Sequence, residues 1–265
     1  MIADNYELFK KDFLQLAGID LSSYKESQMK RRIDNFISKS KVTGYHEFIG
    51  VLKKDREIYD RFITYLTINV SEFYRNPLQW ETLEKVIIPH LLKHFNPPLK
   101  IWSAACSTGD EPYTLAMVLS DFLPLNQIQI LATDMDNEVL TKAKKGCYTE
   151  NSIKGLPKRY RDKFLETDVN GIVSVSKQLK SCISFKQHNL LKDGYPQGVH
   201  MIVCRNVMIY FTEEAKSKIY QRFSSSLHEH GILFVGSTEQ IIGATQYNFY
   251  GMQSFFYERL TSKNT

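Results

Sequence analysis

Short apolar runs alternate with amphipathic, helix-like stretches from residue 99 to the end of the chain. Five runs predict strands, at 99–103, 127–133, 183–186, 201–204 and 232–235. Three stretches predict helices, at 111–122, 137–145 and 213–227. Strands that alternate with helices form a mostly parallel sheet covered on both faces. We therefore expect a doubly wound α/β fold, closed by an antiparallel strand at 254–259.

One interval, between the helix at 137–145 and the strand at 183–186, breaks this alternation. The dipeptide Asn170-Gly171 lies there between two β-favouring segments, and such a dipeptide is a strong hairpin signal. A plain doubly wound fold needs only a crossover connection at this place. The sequence therefore predicts a small antiparallel β subdomain inserted at about 147–181.

The first 70 residues follow a different pattern, with apolar residues at three- and four-residue spacing and breaks at Gly18 and Gly44. We expect an all-helical N-terminal domain at 1–70. A linker with a bridging helix at 71–98 follows, and it ends at Asn96-Pro97-Pro98 because proline cannot continue a helix. The α/β domain then occupies 99–265.

Composition favours an ordinary globular protein, since 43% of the 265 residues are hydrophobic. No apolar run approaches the ~18 residues of a membrane span, and the N-terminal residues lack a signal-peptide pattern. The four cysteines form no Cys-x-x-Cys pair, which disfavours a zinc site or a disulfide framework. We expect a cytoplasmic protein with reduced thiols and no direct membrane insertion.

The loop between the strand at 99–103 and the helix at 111–122 reads Ser103-Ala-Ala-Cys-Ser-Thr-Gly-Asp-Glu111-Pro. Small residues such as Gly109 give a nucleoside-like ligand room at the carboxyl edge of a sheet. The loop lacks the G-x-G-x-x-G and Walker patterns that hold phosphates, and it ends in Asp110 and Glu111. These acids attract an ammonium, which fits S-adenosylmethionine. Alternatively, they only complement the helix dipole, worth ~0.3–1 kcal/mol.

A further acid, Asp134, ends the second predicted strand. An acid at this position binds the ribose hydroxyls in nucleoside-binding folds. The alternative is that the acid caps the following helix, as aspartate often does. Asp134 and Asp136 could divide these two roles between them.

Three segments resemble the signature segments of the chemotaxis receptor methyltransferases of the CheR type. They are Ile68-Asn-Val-Ser-Glu-Phe-Tyr-Arg75, Ile101-Trp-Ser-Ala-Ala-Cys-Ser-Thr-Gly-Asp-Glu-Pro-Tyr113 and Val203-Cys-Arg-Asn-Val-Met-Ile-Tyr-Phe211. Their order and spacing match, and the similarity covers nearly the whole chain. The resemblance implies a helical N-terminal domain and a doubly wound (Rossmann-like) class I methyltransferase domain with an inserted β subdomain.

The resemblance also implies which residues bind the cofactor: Asn69, Ser71, Arg75, Glu111, Asp134, Asn189, Leu190, Arg205 and Asn206. Within this set, Glu111 is the acid at the methionine ammonium and Asp134 the acid at the ribose. The pair at 189–190 lies beside the adenine. The pair at 205–206 opens the loop at the methyl end.

The activity implied by the resemblance is methyl transfer to glutamate side chains of chemotaxis receptors, which gives methyl esters and S-adenosylhomocysteine and serves sensory adaptation. A free glutamate has a pKa of ~4.3, so it is already nucleophilic and no general base is needed. Arg75 is the best catalytic candidate for orienting the incoming carboxylate or for fixing the wall of the active site, because a guanidinium presents two parallel donors. The resemblance implies that Tyr210, the second catalytic candidate, points toward the transfer site. The alternative for Tyr210 is a packed aromatic residue after a strand.

A basic stretch between Lys25 and Lys41 carries six basic and two acidic residues. We expect this stretch to be a basic helix, and the resemblance implies that its Arg31, Arg32 and Lys39 contribute to docking the acidic cytoplasmic methylation region of a chemoreceptor. The alternative is a solvated helix face. A nucleic-acid methyltransferase is disfavoured because the stretch lacks interleaved aromatic residues for base stacking.

Two further readings are weighed against the remaining residues. A non-enzymatic sensor would be expected to lose Arg75, Glu111 or Tyr210, and all three are present. His90 and His94 have metal-ligand spacing but lack a third ligand, so no metal is expected. We expect a monomer with no nucleic-acid partner.

Overall fold

The computed structural model describes residues 5–40 and 42–260 of the 265-residue chain. Lys41, the last residue of the basic stretch, lies outside the described residues. The chain folds into two compact units. Of the described residues, the first unit contains those from Asn5 to Asn69 together with Tyr210–Lys216, and the second contains Val70–Ile209 and those from Ser217 to Leu260.

The first unit has the predicted helical character. Its helices are α1 (Tyr6–Ala17), α2 (Glu26–Ile37), α3 (Tyr45–Lys54) and α4 (Arg56–Leu66). Asn5 caps α1 by accepting the Glu7 N–H at 3.0 Å, and α1 ends at Gly18, whose φ is +68°. Aromatic rings fill the interior of this unit. The buried rings of Phe48 and Phe62, for example, lie 4.8 Å apart in an edge-to-face arrangement.

The segment Tyr210–Lys216 belongs to the first unit because it pairs with the residues before α2. The Lys25 N–H donates to the Tyr210 carbonyl at 2.9 Å. Tyr24 and Phe211 form a β-bridge, and their rings lie 5.0 Å apart. The sequence assigned this segment to the α/β domain at 99–265, and the structure corrects that assignment. These pairings join residues far apart along the chain, so no local pattern predicts them.

The strands of the second unit follow in chain order as β1 (Leu99–Ala104), β2 (Ile128–Asp134), β3 (Cys147–Thr149), β4 (Leu165–Thr167), β5 (Ile172–Val175), β6 (Ile183–Gln187), β7 (Val199–Cys204), β8 (Leu227–Val235), β9 (Phe249–Gln253) and β10 (Phe256–Arg259). One sheet has the order β6-β2-β1-β7-β8-β10-β9. Neighbours from β6 to β8 are parallel, and β10 is antiparallel to both β8 and β9. The predicted doubly wound fold is confirmed.

The order of this sheet reverses between β1 and β7. From β1 the chain moves outward to β2 and β6, and it then returns to place β7 and β8 on the other side of β1. Ligands of open α/β sheets bind outside the carboxyl ends of the strands at such a reversal. The loops after β1, β2, β6 and β7 therefore define where a site is expected.

The helices of the second unit are α5 (Pro77–Thr82), α6 (Ile88–His94), α7 (Asp110–Leu119), α8 (Asn137–Lys145), α9 (Lys158–Phe164), α10 (Lys177–Lys180) and most of α11 (Glu213–Ser226). A π-helical turn at Leu83–Ile87 joins α5 to α6. The predicted bridging helix is therefore a continuous helical stretch with one wider turn.

The inserted β subdomain is a three-stranded antiparallel sheet with β5 between β3 and β4. Its hairpin turns at Asn170 and Gly171, where the φ of Gly171 is +76° and the Asp168 carboxylate accepts the Asn170 N–H at 2.8 Å. This confirms the predicted insertion. The edge strand β9, in contrast, was not predicted, because Phe249 is the one residue of this strand that is buried and an alternating apolar pattern is therefore missing.

Candidate active site

The loop after β1, residues 105–109, has a strained backbone. Ala105, Ser107 and Gly109 have φ angles of +66°, +49° and +93°. Residues that carry a side chain rarely adopt positive φ, and such conformations concentrate at ligand-binding sites. The Cys106 N–H donates to the Thr133 carbonyl at 2.9 Å and so ties this loop to the end of β2.

Gly109 is required by packing inside the protein. An added Cβ would lie 2.9 Å from Cβ of Ala143 and 3.1 Å from the Tyr148 hydroxyl, closer than the neighbours could accept without moving. The sequence explained this glycine by the approach of a ligand. The structure adds a second reason, because close contact with α8 and β3 and the positive φ by themselves demand glycine.

Asp134 and Asp136 divide two tasks at the end of β2. The Asp136 side chain caps α8 by accepting the Glu138 N–H at 2.8 Å. The Asp134 carboxylate accepts the Ser107 N–H at 2.8 Å and the Asp136 N–H at 3.0 Å. Burial raises the pKa of Asp134, although these backbone donors act in the opposite direction. Asp134 therefore joins the loops after β1 and β2.

The two acids at the start of α7 face different surroundings. Asp110 is buried and accepts the Thr108 hydroxyl at 2.6 Å and a hydrogen bond from Ser71, so it stabilises the loop itself. Glu111 accepts the Ser103 hydroxyl at 2.9 Å, and its carboxylate lies 3.6 Å from the Arg205 guanidinium.

Burial raises the pKa of Glu111 by more than the neighbouring Arg205 lowers it. One long ion pair with Arg205, at 3.6 Å, thus leaves the Glu111 carboxylate incompletely neutralised. A second cation beside it would stabilise its ionised form.

Arg205 is held almost entirely by the protein, with 3% of its side chain exposed. Its Nη2 donates to the Arg75 carbonyl at 2.9 Å, the Asn76 side chain at 3.2 Å and the Gln79 side chain at 2.7 Å. The guanidinium also lies 5.4 Å from the ring of Trp80 and 4.7 Å from that of Phe234. The Arg205 side chain is therefore fixed by the protein itself, next to Glu111.

Arg75 lies in a segment whose backbone is fixed. Its carbonyl accepts N–H groups of Trp80 and Arg205, each at 2.9 Å. The residues on either side of it, Tyr74 and Asn76, have φ angles of +55° and +61°. Among residues 5–40 and 42–260, none forms a hydrogen bond or ion pair with the Arg75 guanidinium. The backbone at Arg75 is therefore fixed, whereas its guanidinium has no bonding partner among the described residues.

The loop after β6 carries Asn189 and Leu190. The Asn189 side-chain oxygen accepts the Leu191 N–H at 2.9 Å. The Leu190 carbonyl accepts the hydroxyl of Tyr195 and the guanidinium of Arg222, each at 2.8 Å. Arg222 also lies 3.8 Å from the centre of the Tyr195 ring. The sequence did not single out Tyr195 or Arg222, because a supporting residue on a distant helix carries no local signal.

Glu239 is another residue that sequence reasoning missed. It is 4% exposed, and its carboxylate accepts backbone N–H groups from the loop after β7 and from Gly236. The sequence did contain a signal for Glu239, because it is an acid that closely follows a strand, and the position of Asp134 at a strand end was used in the same way. Asn206, in the loop that Glu239 holds, has a φ of +61°.

The predicted site residues divide between the two units. The second unit contains Ser71, Arg75, Glu111, Asp134, Asn189, Leu190, Arg205 and Asn206. Asn69 is the last residue of the first unit before Val70, and its amide donates to the Thr67 hydroxyl at 2.8 Å. Tyr210 also belongs to the first unit, although it follows Ile209 directly along the chain.

The three predicted docking residues differ in their surroundings. Arg31 is exposed on α2. Arg32 is partly buried, donates to the Tyr65 carbonyl and lies 4.6 Å from the Tyr65 ring. Lys39 is exposed but follows the end of α2 at Ile37, which corrects its placement on the helix. Arg32 is thus bound within the first unit, whereas the side chains of Arg31 and Lys39 reach solvent.

The described residues contain neither a metal-binding cluster nor a membrane-spanning helix. Within ranges 5–40 and 42–260, no group of three or more His, Cys, Asp and Glu side chains has the arrangement of a metal site. The rings of His90 and His94 lie 4.3 Å apart, and His90 contacts the His230 carbonyl at 3.2 Å. In the same ranges, no helix is both long and apolar enough to span a bilayer.

Comparison with known proteins agrees with this geometry. Residues 69–256 match the S-adenosylmethionine-binding domain of CheR methyltransferases, and residues 4–67 match the all-α domain of the same family. The chain is 42% identical over 253 residues to a chemotaxis protein methyltransferase of Listeria monocytogenes, with 96% of each chain covered. It is 41% identical to that of Listeria innocua, with 96% of each chain covered, and 33% identical to that of Borreliella burgdorferi, with 85% of this chain and 84% of that protein covered.

Proposed function

The chain belongs to the CheR methyltransferase family, and from this we propose that it methylates glutamate side chains of chemotaxis receptors. S-adenosylmethionine is the methyl donor, and chemotaxis is the process that the family serves. The proposal adds two specific statements to that activity. The acceptor is a carboxylate, and this carboxylate lies in the cytoplasmic methylation region of a chemoreceptor.

The residues of the second unit fit the cofactor. The partly buried, incompletely neutralised Glu111 would hold the methionine ammonium, and the buried Asp134 would hold the ribose at the end of β2. The 189–190 pair would line the adenine, Ser71 and Arg75 would contact the cofactor from the segment before α5, and residues 205–206 would close the methyl end. Asn69 is a further proposed cofactor contact. When bound, the cofactor supplies an electrophilic methyl group on a positively charged sulfur.

The free guanidinium of Arg75 is the observation that carries the proposal for a carboxylate substrate. Its backbone is fixed by Trp80 and Arg205, while its side chain has no partner among the residues that the structure describes. A guanidinium presents two parallel donors that match a carboxylate. Arg75 would thus orient an incoming glutamate, which is ionised at neutral pH because its pKa is ~4.3.

The remaining contribution of the protein is alignment. One carboxylate oxygen must approach the methyl group opposite the sulfur, so that the new C–O bond forms as the C–S bond breaks. Such alignment can supply ~7–11 kcal/mol of the barrier. Arg75 would set the direction of approach, and Tyr210 would donate a hydrogen bond to the substrate. No proton has to be removed, so no general base is required.

Receptor docking would use the exposed cations of the first unit, Arg31 and Lys39, on an acidic helical partner. The proposal gives Arg32 a smaller share, because its guanidinium already bonds to Tyr65. Because exposed charges are screened over ~8–10 Å at 0.1–0.15 M salt, receptor methylation should slow as salt rises. In this proposal the enzyme acts as a monomer, with no nucleic-acid partner.

The test is incubation of the protein with radiolabelled S-adenosylmethionine and membranes that contain chemoreceptors. We expect label on the receptor band that is released as methanol by mild base, as a methyl ester requires. Membranes without chemoreceptors and receptors with methylatable glutamates changed to alanine are the controls. Base-stable label, or label that persists on the alanine receptors, would contradict the proposal of a glutamate ester.

A further inference from the structure

The loop after β7 (residues 205–209) is held by the carboxylate of Glu239, which lies in the turn after β8. Oε2 of Glu239 accepts the N–H of Asn206 at 2.6 Å and of Gly236 at 2.8 Å. Oε1 accepts the N–H of Met208 at 2.7 Å and of Ile209 at 3.3 Å. Both oxygens are thus occupied by backbone donors, three of which belong to this loop.

Glu239 is 4% exposed, and no Lys, Arg or His among the described residues forms an ion pair with it. A buried carboxylate without a cation is costly unless hydrogen-bond donors surround it. Successive backbone N–H groups form a concave anion site of the kind that binds phosphates in other folds. In this protein, a side chain of the chain itself occupies that anion site.

The space around this carboxylate is closed. A Cβ added to Gly236 would lie 2.4 Å from Oε2 of Glu239 and 2.9 Å from the Asn206 nitrogen. Gly236 is therefore required because the carboxylate and the loop after β7 press against its backbone. Asn206 is itself held at a φ of +61°, a conformation that persists only when its surroundings impose it.

The held loop lies at the reversal of strand order, after the strand that neighbours β1. It begins with Arg205, which contacts Glu111, and it leads directly into Tyr210 along the chain. Both the cofactor side and the methyl end of the proposed site therefore depend on where this loop is placed. An error of about 1 Å in such placement can reduce a reaction rate ~100-fold.

From these contacts we infer that Glu239 is a positioning residue for methyl transfer, which fixes the loop after β7 by accepting its N–H groups. Glu239 touches neither substrate nor cofactor in this role. The inference rests on the proposed function for the placement of Asn206 and Tyr210 at the methyl end. The hold of Glu239 on the loop rests on the hydrogen bonds alone.

The test compares Glu239→Gln with wild type and with Glu258→Gln. Glutamine keeps the size of the side chain, but its NH₂ group faces backbone N–H donors and cannot accept them. Glu258 is a matched control on β10, with 15% of its side chain exposed and His230 as its partner at 2.7 Å. Each protein is titrated with S-adenosylmethionine by calorimetry, and methyl transfer to receptor membranes is measured per binding site at saturating cofactor.

We expect Glu239→Gln to lose about 100-fold in kcat per binding site, by misplacement of the loop. Its Kd for S-adenosylmethionine should change much less, and Glu258→Gln should keep wild-type kcat. Amide hydrogen exchange at Asn206, Met208 and Ile209 should become faster in Glu239→Gln alone. Wild-type kcat per site, unchanged exchange, or an equal kcat loss in Glu258→Gln would overturn the inference.

If Glu239→Gln does not fold, Gly236→Ala tests the same contact. The alanine methyl group would displace the Glu239 carboxylate while the charge of Glu239 is kept. We expect the same selective loss of kcat and faster exchange of the same amides. If wild-type protein labels no receptor, the proposed function fails separately. Amide exchange then tests by itself whether Glu239 fixes the loop. If exchange at Asn206, Met208 and Ile209 is unchanged in both variants, the inference is wrong.

Discussion

The guanidinium of Arg205 and the carboxylate of Glu111 lie 3.6 Å apart in the interior of the second unit, with 3% and 13% of their side chains exposed. The Arg205 guanidinium also donates hydrogen bonds to oxygens of Arg75, Asn76 and Gln79, so it neutralises the charge of Glu111 only in part. Burial accordingly raises the pKa of Glu111 above its usual value of 4.5. The first prediction follows from this relationship.

We predict that cofactor affinity falls as the pH drops through the raised pKa of Glu111. The bound ammonium favours the ionised carboxylate, whereas burial in the cofactor-free protein raises the pKa of Glu111. Affinity for the cofactor should therefore decrease by up to tenfold for each pH unit below that pKa. Because the pKa is raised, this decrease should begin at a pH above 4.5 as the pH is lowered. Calorimetric titration between pH 8 and pH 5 measures this dependence.

Glu111→Gln should weaken binding at pH 7.5 by roughly 10- to 150-fold, the equivalent of a charge-assisted hydrogen bond of about 1.5–3 kcal/mol. It should also flatten the pH dependence. The pKa of Asp134 is also raised, so protonation of Asp134 should weaken cofactor binding at low pH as well. Any pH dependence of Kd that remains in Glu111→Gln is attributed to Asp134. An equally steep slope in the variant would contradict the role given to Glu111.

The second prediction concerns Asp134. Asp134→Ala should weaken S-adenosylmethionine binding by at least about tenfold, because it removes the proposed ribose acceptor and leaves the N–H of Ser107 without its partner. Asp136→Ala is the control, since it removes the α8 cap and should cost ~1 kcal/mol of stability with little change in Kd. An unchanged Kd in Asp134→Ala would remove the ribose assignment.

The third prediction concerns Arg75. Arg75→Ala should lose most methyl transfer, by about 100-fold or more in kcat, because the incoming carboxylate is no longer oriented. The variant should keep its fold, since the guanidinium has no partner among the described residues. Arg75→Lys should recover a small part of the rate, because lysine keeps the charge but lacks the two parallel donors. Normal turnover of Arg75→Ala in a radiolabelled assay would exclude Arg75 from the mechanism.

The fourth prediction concerns receptor docking. Arg31→Glu reverses an exposed charge on α2 and should raise the KM for receptor membranes several-fold, with an unchanged Kd for S-adenosylmethionine. Arg56→Glu is a matched control on α4, where the arginine side chain is 80% exposed. The difference between the two variants should shrink at high salt, through screening. Equal KM values for both variants would argue against a specific basic surface.

The fifth prediction concerns stability against pH. His200 accepts the Lys100 N–H at Nδ1 at 3.0 Å, so protonation of this nitrogen would break the bond. Burial lowers the pKa of His200 to about 4, from 6.5. Because the unfolded chain binds the proton more readily, the contribution is complete above pH 6.5 and is lost as the pH falls from 6.5 toward 4.

The slope from His200 should reach up to about 1.4 kcal/mol per pH unit in this window. Urea unfolding at pH 7.5, 6 and 5 measures it, with His200→Asn as the comparison, because asparagine offers an oxygen acceptor that does not titrate. His90, whose pKa is also lowered by burial, adds a slope of the same sign in both proteins. Parallel curves for wild type and His200→Asn would refute the assignment to His200.

Local patterns were sufficient for most of the fold. The helix predicted at 137–145 is α8, with Asp136 as its cap and Gly146 at its end. The Asn170-Gly171 turn and the alternation of runs after residue 99 led to the inserted sheet and the parallel strands. These features depend on neighbours within a few residues, where side-chain periodicity and caps act directly.

The sequence by itself determined the order of the elements, the family and the acids expected at the ends of β1 and β2. Tertiary structure decided what each polar group bonds to. Arg205 contacts Gln79 at a separation of 126 residues along the chain, and Glu239 contacts Asn206 at a separation of 33. The sequence placed Tyr210 in the α/β domain, whereas the structure groups it with the N-terminal helices, and the contact of Gly109 with Ala143 became visible only in the structure. Such pairings arise only when the sheet places distant loops side by side, and a buried charge must then find its partners among whichever groups are brought there.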